Sequence, residues 1–260
     1  QNEWFITSDE TIIDQSSGNI KAKHATLSLK GVPIMYSPYV DFSTTSQRRS
    51  GWLLPTAGST TTSGFETSIP YYFNLSPTHD ATLTSRYMEK RGLQFDGEFR
   101  YLSKNYKGTS QIQYLNKDRD ADIDNRYLLD IKHQHNFGNG FSGTVEYEKV
   151  KSNDNNYFAD MSTSIAVTSQ VSLRQTAHLD YKKTDDSSDI KGSLKVQEFQ
   201  NLTSASPYEL KPSFNLSYKK DWEDKADQSL FLQTGADFSY DQFDTGNNAA
   251  KNIATGSRIA

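Results

Sequence analysis

The sequence predicts an all-β protein built from antiparallel strands, and three observations support that fold class. Apolar and polar residues alternate with a period of two along most of the 260 residues, the pattern of strands that bury one face. No convincing apolar stripe recurs at helical spacing. Hydrophobic residues make up only 34% of the chain, yet it contains 15 Tyr, 14 Phe and 3 Trp, which is too many aromatic residues for a disordered chain.

Composition excludes several classes of protein. The chain has no cysteine, so neither disulfides nor cysteine-based metal or redox sites are expected. The formal charge of −4 argues against a nucleic-acid binder, which normally carries a strongly basic face. No run approaches the roughly 18 apolar residues of a membrane helix. The start at Gln1 lacks the basic and apolar regions of a signal peptide, so we expect a mature, trimmed or partial chain.

The N-terminal part predicts a separate β-layer followed by a junction. Short strand-like segments separated by polar residues fill positions 3–40, with Gly18 and Gly31 between them, as in a small soluble sheet. Ser, Thr and Gly dominate positions 43–64. We therefore predict a β-layer at 1–42, a junction or hinge at 43–63, and a second domain at 64–260.

From Gly64 onward the alternation sharpens. In one segment, apolar and small residues face one side (Leu93, Phe95, Gly97, Phe99 and Tyr101) and polar residues face the other (Gln94, Asp96, Glu98 and Arg100). The dipeptide Asn139-Gly140 between two such segments predicts a tight hairpin.

Two explanations compete for this alternation. A soluble sandwich also alternates, because one face of each sheet packs on the other sheet. Here, however, charges follow one another along the polar face, the segments reach the roughly 9–11 residues of a spanning strand, and aromatic residues cluster near segment ends. We favour a membrane β-barrel with about ten strands in this chain. Apolar residues should then face lipid (Ile69, Leu83, Phe95 and Phe99), and charged residues a polar lumen (Arg86, Asp96, Glu98 and Arg100).

Residues 32–102 resemble outer-membrane proteins of the LptD/OstA family, which assemble lipopolysaccharide. The matching segments are Gly31–Tyr39, Gln47–Pro55, Pro70–Pro77, Asp80–Thr84, Arg91-Gly92 and Glu98–Leu102. Weaker similarity continues at Asn156–Asp160, Phe199-Gln200, Pro207-Tyr208, Pro212 and Gly256–Arg258. The resemblance covers nearly the whole chain and is densest in its first hundred residues.

The resemblance implies a fold, a function and a location. Residues 1–42 would be the terminal strands of a periplasmic β-jelly roll, and residues 64–260 the first strands of a very large barrel, incomplete in this chain. The function implied is transport of lipopolysaccharide and its insertion into the outer leaflet of a Gram-negative outer membrane. The implied partners are lipopolysaccharide, a plug lipoprotein of the LptE type and a periplasmic bridge protein of the LptA type. The cysteines that often link jelly roll to barrel in the family are absent here.

The resemblance also implies a lateral gate at the first barrel strand. In the family the first strand meets the last, and the seam opens sideways. Proline inside a sheet is confined essentially to edges, strand starts and bulges, so Pro70 marks a strand that pairs weakly on one side. The expected gate residues are Pro70, Tyr71, Phe73, Asn74 and Pro77. The alternative is that Pro70 merely tolerates a bulge, and relatives commonly carry a second proline where this chain has Ser85.

Two interpretations are open for the roles of Arg48 and Arg49. They could form a structural hinge pair that satisfies loop carbonyls or carboxylates. They could instead contact phosphates of the passing lipid A headgroup, because arginine forks match phosphate geometry.

The remaining polar motifs predict little chemistry. Residues 118–124 alternate aspartates as calcium loops do, but Ile123 and Leu129 stand where an EF-hand needs glycine and glutamate. This is expected to be a solvated loop, with cation bridging to lipopolysaccharide phosphates as a minor alternative. His133 and His135 share a strand face, but two ligands make a weak metal site, so we expect interface residues. We predict no catalysis, no cofactor and no metal.

The candidate functions fall into three ranks. The first is a lipopolysaccharide translocon. The runner-up is a passive outer-membrane porin or a soluble β-sheet binding module. An outer-membrane hydrolase ranks last, because no nucleophile and base can be assembled from five scattered histidines.

Overall fold

A computed structural model describes residues 4–14, 18–43, 48–151, 154–161, 171–185, 188–202, 209–223, 231–244 and 249–259. The chain forms two compact units. The first contains residues 1–100 and 113–125, and the second contains residues 101–112 and 126–260. Strands dominate both units, which confirms the all-β prediction. Within the described residues, no helix is both long and apolar enough to cross a membrane.

The N-terminal segment forms a small antiparallel sheet of four strands. These are β1 (Trp4–Thr7), β2 (Glu10–Asp14), β3 (Asn19–Leu29) and β4 (Val32–Ser43). β3 pairs with β1 and β2 along its length and also with β4. His24 has a positive φ of 50° and interrupts the period of two, so that Ala22, Ala25 and Leu27 are all buried.

The remaining strands form one antiparallel sheet. Their bounds are β5 (Gly51–Trp52), β6 (Thr56–Thr60), β7 (Gly64–Ser76), β8 (His79–Met88), β9 (Gly92–Leu102), β10 (Tyr106–Asp118), β11 (Ile123–Gly138), β12 (Phe141–Val150), β13 (Ser172–Asp185), β14 (Ser188–Asn201), β15 (Glu209–Glu223), β16 (Phe231–Asp244) and β17 (Ala249–Ile259). The order is β17 through β7 in sequence, and both β5 and β6 pair with β7 at the other end. Among the described residues, β17 does not pair with β5, β6 or β7. The sheet is therefore open in this part of the chain, as expected for an incomplete barrel.

Short turns set the register of the sheet. Asn139 and Gly140 have positive φ angles of 50° and 87°, which a tight two-residue hairpin turn requires. The turn joins β11 to β12 in the register Gly138↔Phe141 and His135↔Gly143. This confirms the predicted hairpin.

One short helix interrupts the strands. The connection between β12 and β13 contains α1 (Tyr157–Met161), in which Tyr157, Phe158 and Met161 are buried. Val150 and Leu173, at the strand ends that flank this connection, are fully buried as well. Apolar burial in the second unit thus lies near these strand ends, whereas many apolar side chains elsewhere are exposed.

Candidate functional site

The wall strands of the first unit separate apolar from polar side chains. Leu83, Phe95 and Phe99 are 43%, 43% and 37% exposed, which no soluble core explains. Nearby residues in the same strands point to the opposite face and form ion pairs there, among them Arg86 with Glu66 and Arg100 with Asp80. The arrangement is the one expected for a wall with an apolar outer face and a polar inner face.

A buried carboxylate organises the polar face near the turn between β7 and β8. Asp80 is 5% exposed and accepts hydrogen bonds from Arg100 Nε at 2.7 Å and Arg100 Nη2 at 3.1 Å. The Tyr72 hydroxyl donates to Asp80 Oδ2 at 3.2 Å, and the Arg48 guanidinium forms an ion pair with the same oxygen. Residues from the junction, β7, β8 and β9 therefore meet at one carboxylate.

Arg48 is held by several acceptors at once. Its Nε donates to the Tyr72 hydroxyl at 2.9 Å and its Nη1 to the Pro77 carbonyl at 3.2 Å. The hydrogen bond to Tyr72, with smaller contributions from the charge of Asp80, raises the pKa of Arg48 above its ordinary value. Arg48 thus binds a loop carbonyl and a carboxylate, and its side chain is still 48% exposed.

Arg49 differs from its neighbour. It is exposed and makes no hydrogen bond or ion pair with any residue that the structure describes. The two arginines therefore differ: Arg48 is bound to Tyr72 and Asp80, whereas Arg49 is exposed and unbonded among the residues that the structure describes.

The other residues predicted to face the lumen also share the polar face. Arg86 Nη2 pairs with Glu66 Oε2 at 2.6 Å, and Asp96 Oδ2 accepts from Gln113 Nε2 at 2.8 Å. Glu98 lies 3.3 Å from Arg100 Nε. The structure therefore brings Arg86, Asp96, Glu98 and Arg100 to one side of the wall.

The outer edge of β7 is covered by the preceding segment, residues 50–60, which we term the junction arm. β6 pairs with β7 in the register Thr60↔Gly64 to Thr56↔Ser68, and β5 pairs as Trp52↔Tyr71 and Gly51↔Tyr72. Between the two pieces, Leu53 N donates to the Pro70 carbonyl at 2.9 Å. At the strand end, Asn74 N donates to Ser50 Oγ at 2.8 Å.

Pro70 lacks its hydrogen-bond donor on the side of the junction arm. The carbonyl of Pro70 points to Leu53, and the nitrogen and carbonyl of a strand residue point to the same side. The cross-strand pair with Thr84 of β8 is consequently a non-hydrogen-bonded pair. Pro70 therefore costs the β7–β8 ladder no hydrogen bond and weakens only the outer edge.

The remaining residues expected at the gate divide between the two faces. The rings of Tyr71 and Phe73 pack at an interplanar angle of 58° with centroids 4.7 Å apart, and Trp52 of the junction arm packs edge-on against Tyr71 at 4.9 Å. Asn74 Nδ2 donates to the Arg48 carbonyl at 2.8 Å. Pro77 lies in the turn, where its carbonyl receives Arg48.

Sequence reasoning missed a buried ion-pair cluster in the second unit. Arg126 is fully buried, and it donates from Nε and Nη2 to the two oxygens of Asp154 at 2.8 and 2.7 Å. Its Nη1 reaches Asp160 at 3.0 Å, and its guanidinium lies 5.5 Å from the Tyr157 ring centroid. The only sequence signal was the family match at Asn156–Asp160, because the partners lie far apart in the chain.

The aspartates at 118–124 are committed to neighbouring side chains and amides. Asp118 is fully buried, pairs with Arg91 Nη1 at 2.7 Å and accepts the amides of Asp120 and Ala121. Lys117 Nζ lies 3.4 Å from Asp122. Among the described residues, no group of three or more acidic or imidazole side chains is placed to hold a metal ion.

His133 and His135 lie in an aromatic cluster rather than facing each other as ligands. His133 Nδ1 is 2.7 Å from the Tyr101 hydroxyl, and His135 stacks on Phe137 with centroids 4.2 Å apart. Tyr106 lies beside both histidines. Aromatic residues near strand ends are typical of the interfacial girdle of a membrane barrel, and Tyr101, Tyr106 and Phe137 are such residues.

The comparisons by sequence agree on one family, and a comparison with solved structures adds no argument. The outer membrane channel DcaP of Acinetobacter baumannii aligns with 94% of this chain and 84% of its own, at 11% identity and a TM-score of 0.33, which establishes no shared fold. The LPS-assembly protein LptD of Nitrosomonas eutropha is 36% identical over 84% of this chain, and that of Paraburkholderia xenovorans is 38% identical over 92%.

These relatives are much longer than the chain, which spans 31% of the length of each. The LptD protein of Bordetella avium is 44% identical over 62% of this chain and 20% of its own. The family model described as LPS transport system D matches residues 124–259, more than half of the 260 residues. The chain therefore belongs to the LptD family.

Proposed function

We propose that this chain is part of a translocon that carries lipopolysaccharide to, and inserts it into, the outer leaflet of a Gram-negative outer membrane. Family membership carries this proposal, and the separation of apolar and polar strand faces supports it. Outer-membrane barrels have lipid outside and a polar surface inside, and such a wall offers separate surfaces to the acyl chains and the charged sugars of an amphiphile.

The polar inner face supplies the contacts for the headgroup. Arg48 and Arg100 converge on Asp80, yet each keeps about half of its side chain exposed. Arg49, which follows Arg48 in the chain, is exposed as well. We propose that Arg49 makes the main phosphate contact and that Arg48, fixed by Asp80, positions it. A guanidinium suits this role because it presents paired donors to phosphate oxygens.

The outer edge of β7 is the proposed position of a lateral gate. Pro70 contributes no donor to that edge, and the junction arm that covers it is split at residues 53–55, between β5 and β6. Each backbone hydrogen bond contributes about 0.5–1.5 kcal/mol net, and more where no water can replace it. An edge with missing bonds therefore opens at lower cost than the rest of the wall.

Connection lengths suggest which end of the wall faces the periplasm. In the antiparallel order, the connections at 77–78, 103–105, 139–140, 186–187 and 224–230 fall at one end and have at most seven residues. The other end has short connections at 89–91 and 119–122 and the longest connection, 151–171. Barrels of the outer membrane have short periplasmic turns and longer external loops. The end that holds Arg48 and Asp80 would then face the periplasm, together with the N-terminal sheet.

We propose positions for the partners in this orientation. The N-terminal sheet would receive lipopolysaccharide from a bridge protein of the LptA type, and a plug lipoprotein of the LptE type would occupy the lumen of the complete barrel. A passive porin is a weaker proposal, because it needs no junction anchored at Asp80. A soluble binding module would have to cover Leu83, Phe95 and Phe99.

The test uses the full-length protein with its lipoprotein partner in liposomes. Purified bridge protein loaded with labelled lipopolysaccharide is added, and appearance of label in the liposome bilayer is measured. We expect delivery to require the full-length protein, and Arg49→Ala to reduce its rate while Arg174→Ala, an exposed arginine of β13, leaves it unchanged. Solute leakage without lipid delivery would support the porin and overturn the translocon.

A further inference from the structure

The junction arm satisfies nearly the whole outer edge of β7. The peptide groups of Glu66, Ser68, Pro70 and Tyr72 point to the arm, by the alternation that Leu53 N→Pro70 O establishes. Asn74 completes the row through Ser50. Any other strand that paired with β7 at this edge would have to replace the arm.

The arm itself is poorly suited to be a permanent wall strand. It consists of a two-residue and a five-residue strand, with Pro55 in the break, whereas a spanning strand needs about 9–11 residues. On the apolar face, the arm residues that pair with Phe65 and Thr67 are Ser59 and Ala57. These small side chains present little apolar surface to lipid. Its outer backbone edge would also lie unpaired in lipid, which a membrane strand does not tolerate.

The arm is tied down at both ends, outside the paired stretch. Arg48 anchors its beginning at Asp80 on the polar face. Beyond its end, the Ser63 carbonyl accepts the amide of Lys90 at 3.0 Å, and the Thr62 carbonyl accepts Arg91 Nε at 3.0 Å. The middle of the arm can therefore leave β7 toward the polar side without separating from the wall.

We propose that the junction arm and a closing strand from the rest of the longer polypeptide alternate on the outer edge of β7. The closing strand holds the edge when the seam is shut, and the arm holds it when the seam is open. The relatives are about three times as long as this chain, so the polypeptide has the length to supply that strand. This exchange rests on the proposed function, and it explains how a seam opens without exposing the backbone of β7 to lipid.

The first test locks the arm onto β7 in the full-length protein. Ala57 and Thr67 are directly paired, so Ala57→Cys with Thr67→Cys places two thiols within disulfide range. The control lock, Ile69→Cys with Ser85→Cys, joins β7 to β8. A photo-reactive residue at Phe73 reports pairing with the closing strand.

We expect the arm lock to abolish the photo-adduct and to stop lipopolysaccharide export, with both restored by a reducing agent. The control lock should preserve the adduct. An adduct that persists with the arm fully locked would overturn the proposal. The adduct forms without any transport. If the arm lock abolishes the adduct but the unlocked protein exports no lipopolysaccharide, the exchange stands and the proposed function is contradicted.

A second pair of variants decides the matter should the locked protein fail to assemble. Gly58 pairs with Glu66, whose peptide groups face the arm, so Gly58→Pro removes a donor to β7. Ala57→Pro removes a donor that points away from β7 and is the matched control. We expect Gly58→Pro to increase the Phe73 adduct and slow export, and Ala57→Pro to do neither. Equal behaviour of the two variants would overturn the proposal.

Discussion

At the scale of single residues, we expect changes at buried carboxylates to reduce the stability of the protein most. Asp80 holds two guanidiniums that belong to different parts of the chain, so its charge connects the junction to β9. Breaking a buried pair costs about 3–5 kcal/mol, but half-exposed partners regain solvent and reduce that cost.

We therefore expect Asp80→Asn to destabilise the assembled full-length protein by about 1–3 kcal/mol. The measurement is the temperature at which the folded band is lost in heat-modifiability gels. Glu98→Gln is the control, because Glu98 is 43% exposed and contacts Arg100 at 3.3 Å. An unchanged midpoint for Asp80→Asn would show that this carboxylate does not hold the junction.

Arg126 provides a second test at this scale. Its removal leaves Asp154, which is 1% exposed, as an uncompensated buried charge, and such losses cost about 3–5 kcal/mol. Arg126→Met should therefore open the connection around α1 to added protease in intact cells, while Arg174→Met, at a 60% exposed side chain, should not. Equal resistance of the two variants would contradict the anchoring role of Arg126.

At the scale of the strand, alternation decides which side chains meet lipid. An arginine on the lipid face at mid-bilayer costs about 2–4 kcal/mol. Phe95→Arg should therefore block assembly of the full-length protein. Thr109 is exposed and shares its strand face with Gln113, the partner of Asp96, so Thr109→Arg should be tolerated. Outer-membrane levels of the two variants measure the difference, and equal levels would exclude the assigned faces.

Pro70 tests the edge of β7. Pro70→Ala restores one donor on the outer edge, and tighter pairing there should slow export without reducing assembly. The gain of one hydrogen bond is about 0.5–1.5 kcal/mol. Pro77→Ala, in the turn, restores no donor on that edge and is the control. Faster export by Pro70→Ala would refute a gate that depends on missing hydrogen bonds.

Strand-level features were predictable to different degrees. The faces of β7 to β9 followed from alternation, because each strand buries or exposes its own residues locally. The pairing of the junction arm with β7 could not be predicted, since residues 51–60 do not alternate. The ion pairs of Arg126 could not be predicted from alternation, because the partners lie 28 and 34 positions away and ion pairing leaves no periodic signal. Gln94 lies on the polar face that alternation predicts, but alternation does not predict that its side chain is only 2% exposed.

At the scale of the whole molecule, we propose that lipopolysaccharide passes along the polar face of the wall. The full-length protein therefore has to present that face to the substrate in transit. On this proposal the apolar face would meet resident membrane lipid instead, so the two faces should differ in which lipid they contact and when.

The most direct measurement places a photo-reactive residue at Thr109 or at Phe95 of the full-length protein in cells and follows newly made, labelled lipopolysaccharide. Adducts at Thr109 should appear early and vanish when supply of new lipopolysaccharide stops, whereas adducts at Phe95 should accumulate late and persist. Early, supply-dependent adducts at Phe95 with none at Thr109 would contradict passage of lipopolysaccharide along the polar face.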